Sequence, residues 1–276
     1  MKAFYRNYIV VITIMISTTL LFAEERNLES QTPNIKLGLV QGYLDPKTLP
    51  DFLKLIPNAP VQDSAKQKLD NAVSQKYLAL QGTSRWELAK SDADLTFPNA
   101  AETFSCALGV PINKKQTPRL YRLLQRTLTD AGLATYPVKN YYQRVRPFML
   151  NREPICTPED TEALRRDGSH PSGHTAVGWA WALILTEIAP DHADAILARG
   201  RSFGESRIVC NVHWNSDVAE GRFVGAAIVA KLHANSQFLS DLKRAKKELA
   251  TLYAKKVKSS NNCEFERKAL ALPKEK

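Results

Sequence analysis

GSHPSGHTAVGWAWALILTEI, residues 168–188, is the stretch whose reading decides the fold. From Gly173 to Ile188 it carries Ala176, Val177, Trp179, Trp181, Leu183, Ile184 and Leu185, so a helix here is apolar on almost every side. A helix with one apolar stripe lies at a surface, whereas one that is apolar all round is surrounded by other elements. The stretch therefore predicts a central, buried helix that further helices must cover.

Those helices can be read outward from it. Thr117-Pro118 is an N-cap with proline at the first helical position, Leu120, Leu123, Leu124, Leu128 and Ala131 follow at helical spacing, and Gly132 ends the run. Asp191 is expected to cap another helix reaching about Val209. Asp217 to His233 gives one more, in which Gly221, Gly225, Ala226 and Ala227 permit close packing. Leu242, Ala245, Leu249 and Leu252 carry a further helix to about Val257, and Ser259-Ser260-Asn261-Asn262 breaks it. Between Leu37 and Pro60, recurrent Pro and Asp predict turns and a short helix. Alternating strand patterns, Asn-Gly hairpin signals and internal repeats are missing. The reading is all-α, a single-domain helical bundle with a buried central helix over residues 37–257.

The chain ends read differently. Lys2 and Arg6 precede an apolar run from Tyr8 to Phe22, and polarity changes abruptly after Ala23. Residues 1–23 are thus expected to be a secretory signal peptide, too short in their apolar run for a membrane span of roughly 20 residues. Residues 24–36 are polar and expected to be disordered. The formal charge of +10 sits largely outside the body: two cations lie in residues 1–23, and 243–276 hold 11 Lys or Arg against 4 Glu. A body near neutrality argues against nucleic acid as a partner, and integral membrane association finds no later run to support it. Residues 258–276 form a basic C-terminal tail, and the cations of 243–276 are expected to make a solvated helix face and a frayed end, with contact to a polyanion or a membrane surface as the alternative. Cys106, Cys156, Cys210 and Cys263 allow two disulfides in an oxidising compartment, with three pairings open, and Cys263 could pin the last segment to the body. Their scatter, without any C-x-x-C spacing, argues against zinc. Localisation is expected to be periplasmic or secreted.

Chemistry concentrates between Lys139 and Asp217. A helix starting at Ser172-Gly173 directs free N–H groups and a positive dipole end at whatever precedes it, which suits an anion. Arg146 and Arg207 bring paired donors for phosphate oxygens, and Lys139 a point charge. Pro147 is expected to end a local helix, placing Arg146 at an element boundary. His213 and Asp217, four apart at a helix start, share a face, so the carboxylate can hold one ring nitrogen and leave the other as a nucleophile. His174, beside the anion site, is placed to protonate a leaving oxygen. His170, His192 and His233 lack such partners in the sequence and read as surface or packing residues, although His170 lies directly before the anion site.

Lys139-x6-Arg146-Pro147, Pro171-Ser172-Gly173-His174 and Ser206-Arg207-x5-His213-x3-Asp217 together resemble the three-part signature of the type 2 phosphatidic-acid phosphatase and vanadium haloperoxidase superfamily. The flanks, including Gly42-Tyr43-Leu44 and Pro50-Asp51, resemble the secreted bacterial class A non-specific acid phosphatases over residues 37–250. One departure is His170, where those enzymes usually carry tyrosine. The resemblance implies that Lys139, Arg146, Ser172, the Gly173 amide and Arg207 hold phosphate. It also implies that His213 becomes the phosphohistidine, Asp217 orients it, and His174 acts as general acid and then base. It further implies phosphomonoester substrates such as nucleotides, sugar phosphates and aryl phosphates, no metal or cofactor, a phosphotransferase side activity and a homo-oligomer. Against this stand a vanadium-dependent haloperoxidase, a lipid or diphosphate phosphatase, and a non-enzymatic periplasmic phosphate-binding protein. Chain length and the Arg207 to His213 spacing disfavour the first, and the missing membrane helices disfavour the second. The third leaves His174 and the His213–Asp217 pair unexplained.

Overall fold

The computed structural model describes residues 39–259 and 261–271. In chain order the helices are α1 (Phe52–Leu55), α2 (Ala65–Leu78), α3 (Ser84–Ser91), α4 (Asn99–Glu102), α5 (Ser105–Leu108), α6 (Pro118–Leu133) and α7 (Tyr136–Tyr142). They continue with α8 (Pro147–Asn151), α9 (Thr161–Arg165), α10 (Gly173–Ile188), α11 (Ala193–Val209), α12 (Asn215–Leu232), α13 (Ser236–Ala254) and α14 (Cys263–Leu270). Short 3₁₀ turns link some of them, and no strand occurs among the described residues. The all-α fold holds, and the described residues fall within one compact unit. The expected signal peptide and the polar stretch 24–36 lie outside the described residues.

The central helix is α10, with α6, α11, α12 and α13 packed around it. Ala176, Val177, Ala180, Trp181, Ala182, Ile184 and Leu185 are all buried on it, and burial of each large side chain contributes about 1.5–3 kcal/mol. Trp181 is fully enclosed and satisfies its indole N–H on the Leu124 carbonyl at 3.1 Å, which ties α10 to α6. Close approach of α12 depends on two glycines one turn apart. A Cβ at Gly221 would stand 2.6 Å from the Ser172 carbonyl oxygen, and one at Gly225 2.5 Å from that of Ala176. Neither backbone could accommodate it without shifting.

Several local readings need correction. Pro147 starts α8 and does not end a helix; Arg146 is its N-cap, so the boundary position is right for a different reason. Asp191 caps nothing: it lies in the 3₁₀ turn Pro190–His192, and His192 precedes α11. Thr117 does precede α6, but its hydroxyl turns back to Asn113. The first N–H groups of α6, at Arg119 and Leu120, go instead to the Glu248 carboxylate on α13. The end expected to be frayed forms α14 over Cys263–Leu270, because one face buries Ala269 and carries Glu266 to Arg199 at 3.0 Å. Cys106–Cys263 and Cys156–Cys210 are the disulfides, so the first does fasten this last segment. Among the described residues no helix is long and apolar enough to cross a membrane.

Candidate active site

Lys139 near the end of α7, Arg146 at the start of α8, the N-terminus of α10, Arg207 in the last turn of α11 and the His213–Asp217 segment opening α12 supply the predicted residues. Ser172 is the N-cap of α10, with extended backbone geometry. Its oxygen accepts from the Thr175 N–H at 3.3 Å and the Thr175 hydroxyl at 2.9 Å, leaving its own proton for another acceptor. Gly173 is the first helical residue, so its N–H has no partner inside the helix.

The cations divide into two sorts. Lys139 and Arg146 share a counterion, since Asp167 Oδ2 lies 3.0 Å from Lys139 Nζ and 2.8 Å from Arg146 Nη2. Both are buried, and burial lowers the lysine to about 8 against the pull of Asp167. Arg207 is equally buried but has no such partner: its Nε and Nη1 carry no hydrogen bond. Burial first, and then the neighbouring Arg146, bring it down to about 10. A buried guanidinium with free donors costs stability unless an anion meets it.

His213 is oriented from both sides. Arg146 Nη1 stands 3.1 Å from Nε2, and Asp217 Oδ2 3.4 Å from Nδ1. A guanidinium only donates, so Nε2 must present its lone pair and the ring proton must sit on Nδ1, facing the carboxylate. Burial, and next Arg146, hold the imidazole well below its ordinary 6.5, which keeps it neutral. Asp217 is fully buried; burial pushes its carboxyl up, but hydrogen bonds from His170 and His213 and the charge of Arg144 outweigh that and hold it well below the ordinary carboxylate value. His174 donates Nε2–H to the Ala93 carbonyl at 2.9 Å in the conformation present, and burial followed by Arg207 also depresses its pKa strongly.

Four groups of this site escape a reading of spacing. Asp167 is the counterion just described. Arg144 donates to Asp217, to Ser216 at 2.8 Å and to Asp70 at 2.7 Å, so a second layer braces the carboxylate. Asp70 in turn takes the Ser216 N–H at 2.8 Å. His170, read as a packing residue without a partner, is buried but contacts Asp217 Oδ1 through Nδ1 at 3.2 Å. Arg144, Asp167 and His170 had a sequence clue, each standing within a few residues of a signature position. Asp70 lies 74 positions before Arg144, and no local pattern links them. Among the described residues no His, Cys, Asp or Glu cluster is arranged to hold a metal ion.

Comparison with known proteins agrees with this geometry. Residues 123–239 match the PAP2 superfamily model. The chain is 43% identical over 211 residues to a non-specific acid phosphatase of Providencia stuartii, spanning 76% of this chain and 85% of that protein. It is 40% identical over 211 residues to a non-specific acid phosphatase of Salmonella typhimurium, covering 76% and 84% of the two chains. An acid phosphatase of Zymomonas mobilis is 42% identical over 203 residues, 72% of this chain and 75% of the relative. With a helical scaffold, an anion cradle and identity of this extent over most of each relative, the chain belongs to the class A non-specific acid phosphatases of the PAP2 superfamily.

Proposed function

We propose that this acid phosphatase cleaves phosphate monoesters by way of a phosphohistidine on Nε2 of His213, without a metal ion. Lys139, Arg146, Arg207, the Ser172 hydroxyl and the Gly173 amide grip the phosphoryl oxygens. Nε2 attacks phosphorus, the ester P–O bond breaks with its electron pair going to oxygen, and His174 protonates that oxygen. Water then gives a proton to His174 and attacks phosphorus, the N–P bond breaks, and inorganic phosphate leaves. Asp217 holds Nδ1–H throughout and stabilises the imidazolium character that develops. The cradle's fixed positive charge meets the charge spread over the phosphoryl oxygens in the transition state.

The observation that carries this reading is the setting of the His213 ring, with Nε2 on the side of Arg146 at 3.1 Å and Nδ1 on the side of Asp217 at 3.4 Å. A proton for the leaving group is supplied only after binding. In the empty site His174 is depressed by burial and by Arg207, and a bound phosphate's negative charge reverses that second influence. Substrates are small phosphomonoesters, among them nucleotides, sugar phosphates and aryl phosphates, with alcohols competing with water for the phosphoenzyme. Two disulfides fit export to the periplasm or medium, and self-association into a homo-oligomer belongs to the same proposal.

Rapid-quench trapping of phosphoenzyme from labelled substrate tests the nucleophile. His213→Ala is expected to abolish the trapped species and lower turnover on the order of 10⁴-fold or more, with the helical spectrum intact. Near-normal turnover would refute the assignment. His174→Ala is expected to harm alkyl phosphates more than p-nitrophenyl phosphate, whose leaving group needs little protonation; equal losses would remove the general acid. Activity that survives EDTA supports metal independence, and loss of activity on chelation would end it.

A further inference from the structure

Asp217 has four donors, two on each oxygen. Oδ2 takes the Trp214 N–H at 2.9 Å and His213, while Oδ1 takes Arg144 and His170. Turning the carboxylate about its own axis would break all four, so the oxygen that serves the nucleophile is selected by the pair on the other one. Arg144 is itself held by Asp70, Gln67 and Ser216. His170 is held differently: its ring is buried, Tyr142 stands edge-on at 5.9 Å, and Nε2 lies 3.2 Å from the Pro57 carbonyl oxygen.

Both nitrogens of His170 therefore face oxygens that only accept. Around the ring stand Asp217 on α12, Arg144 on the far side of that carboxylate and the Tyr142 ring from α7. We propose that His170 is a positioning residue: its Nδ1–H donates to Asp217 Oδ1 and so keeps Oδ2 on the His213 ring, without touching substrate. This rests on His213 being the nucleophile.

The test compares kcat and KM for p-nitrophenyl phosphate in His170→Phe, which keeps a ring without donors, and His170→Gln, which keeps a neutral donor. His170→Phe is expected to lose roughly 10- to 100-fold in kcat with KM within about two-fold, the effect of removing a hydrogen bond to a charged group. His170→Gln is expected to recover part of kcat. Wild-type kcat in His170→Phe would overturn the proposal, as would equal losses in the two variants or a loss carried by KM. If His170→Phe fails to fold, His170→Leu replaces it under the same criterion. His213→Ala is run in parallel: activity there ends the nucleophile reading itself, whereas an inactive His213→Ala beside an unaltered His170→Phe ends only this inference.

Discussion

The backbone N–H of Ser172 donates to the backbone carbonyl of Asp217 across 3.0 Å. The start of α10, which presents the anion site, is thereby bonded to the first turn of α12, which carries the group orienting His213. Cradle and nucleophile share one strut, and a shift of either helix start misplaces both.

Gly221 makes that strut short, because a Cβ there meets the Ser172 carbonyl oxygen at 2.6 Å and Thr175 Cβ at 2.9 Å. Gly221→Ala is expected to cost about 1–3 kcal/mol of stability by overpacking and to lower kcat/KM on the order of 100-fold, the scale of a 1 Å misplacement. Gly225→Ala, against the Ala176 carbonyl one turn further from the site, should cost similar stability with a smaller loss of activity. Urea denaturation and steady-state kinetics on the pair separate the two effects; equal activity losses would mean that Ser172 is not the point of sensitivity.

Arg207 sets a trade between stability and activity. Its buried Nε and Nη1 find no partner in the protein, so Arg207→Met is expected to raise the thermal midpoint of the ligand-free enzyme. The same change should weaken inhibition by phosphate and vanadate about 10- to 100-fold, from the lost charged hydrogen bonds. Thermal melts with and without phosphate read both: the variant should start higher and gain less from ligand.

The pH dependence of stability follows from His213 and His174. Both are held well below the ordinary 6.5, chiefly by burial, so below about that pH the unfolded chain binds protons that the folded, empty site refuses. Stability is therefore full above 6.5 and falls as the pH drops through the imidazole range. Asp217, depressed from its ordinary 3.8, contributes in the same sense: its share is present above that value and is lost only at still lower pH. Thermal midpoints of the ligand-free enzyme are expected to decline between pH 7 and 5, and phosphate should shrink that decline by favouring protonated His174. Calorimetry in two buffers of different ionisation enthalpy should show proton uptake on phosphate binding at pH 6.

What could be read in advance followed from range. The all-round apolar run of α10 and the Leu spacing of α6 are local patterns with one physical outcome, and both appear where expected. A capping partner was missed where a distant group intervened: α6 starts at Pro118 as expected, but its Arg119 and Leu120 N–H groups are met by Glu248, 129 and 128 positions away, and not by the Thr117 side chain. The residues proposed for phosphoryl transfer were legible because their types and spacing are chemically restrictive. Their supports were not, since Asp70, Arg144 and His170 meet Asp217 or its neighbours only through folding. A histidine looks partnerless in sequence whenever its partner is on another helix.

The bond between Cys106 and Cys263 closes a ring spanning 157 positions. Emerging N-terminus first, the nascent polypeptide must hold Cys106 in reserve until Cys263, 157 positions later, has been made. Products of premature termination before Cys263 consequently expose an orphan sulfhydryl on an otherwise helical body. That chemical flag distinguishes unfinished copies from finished ones wherever thiols are inspected.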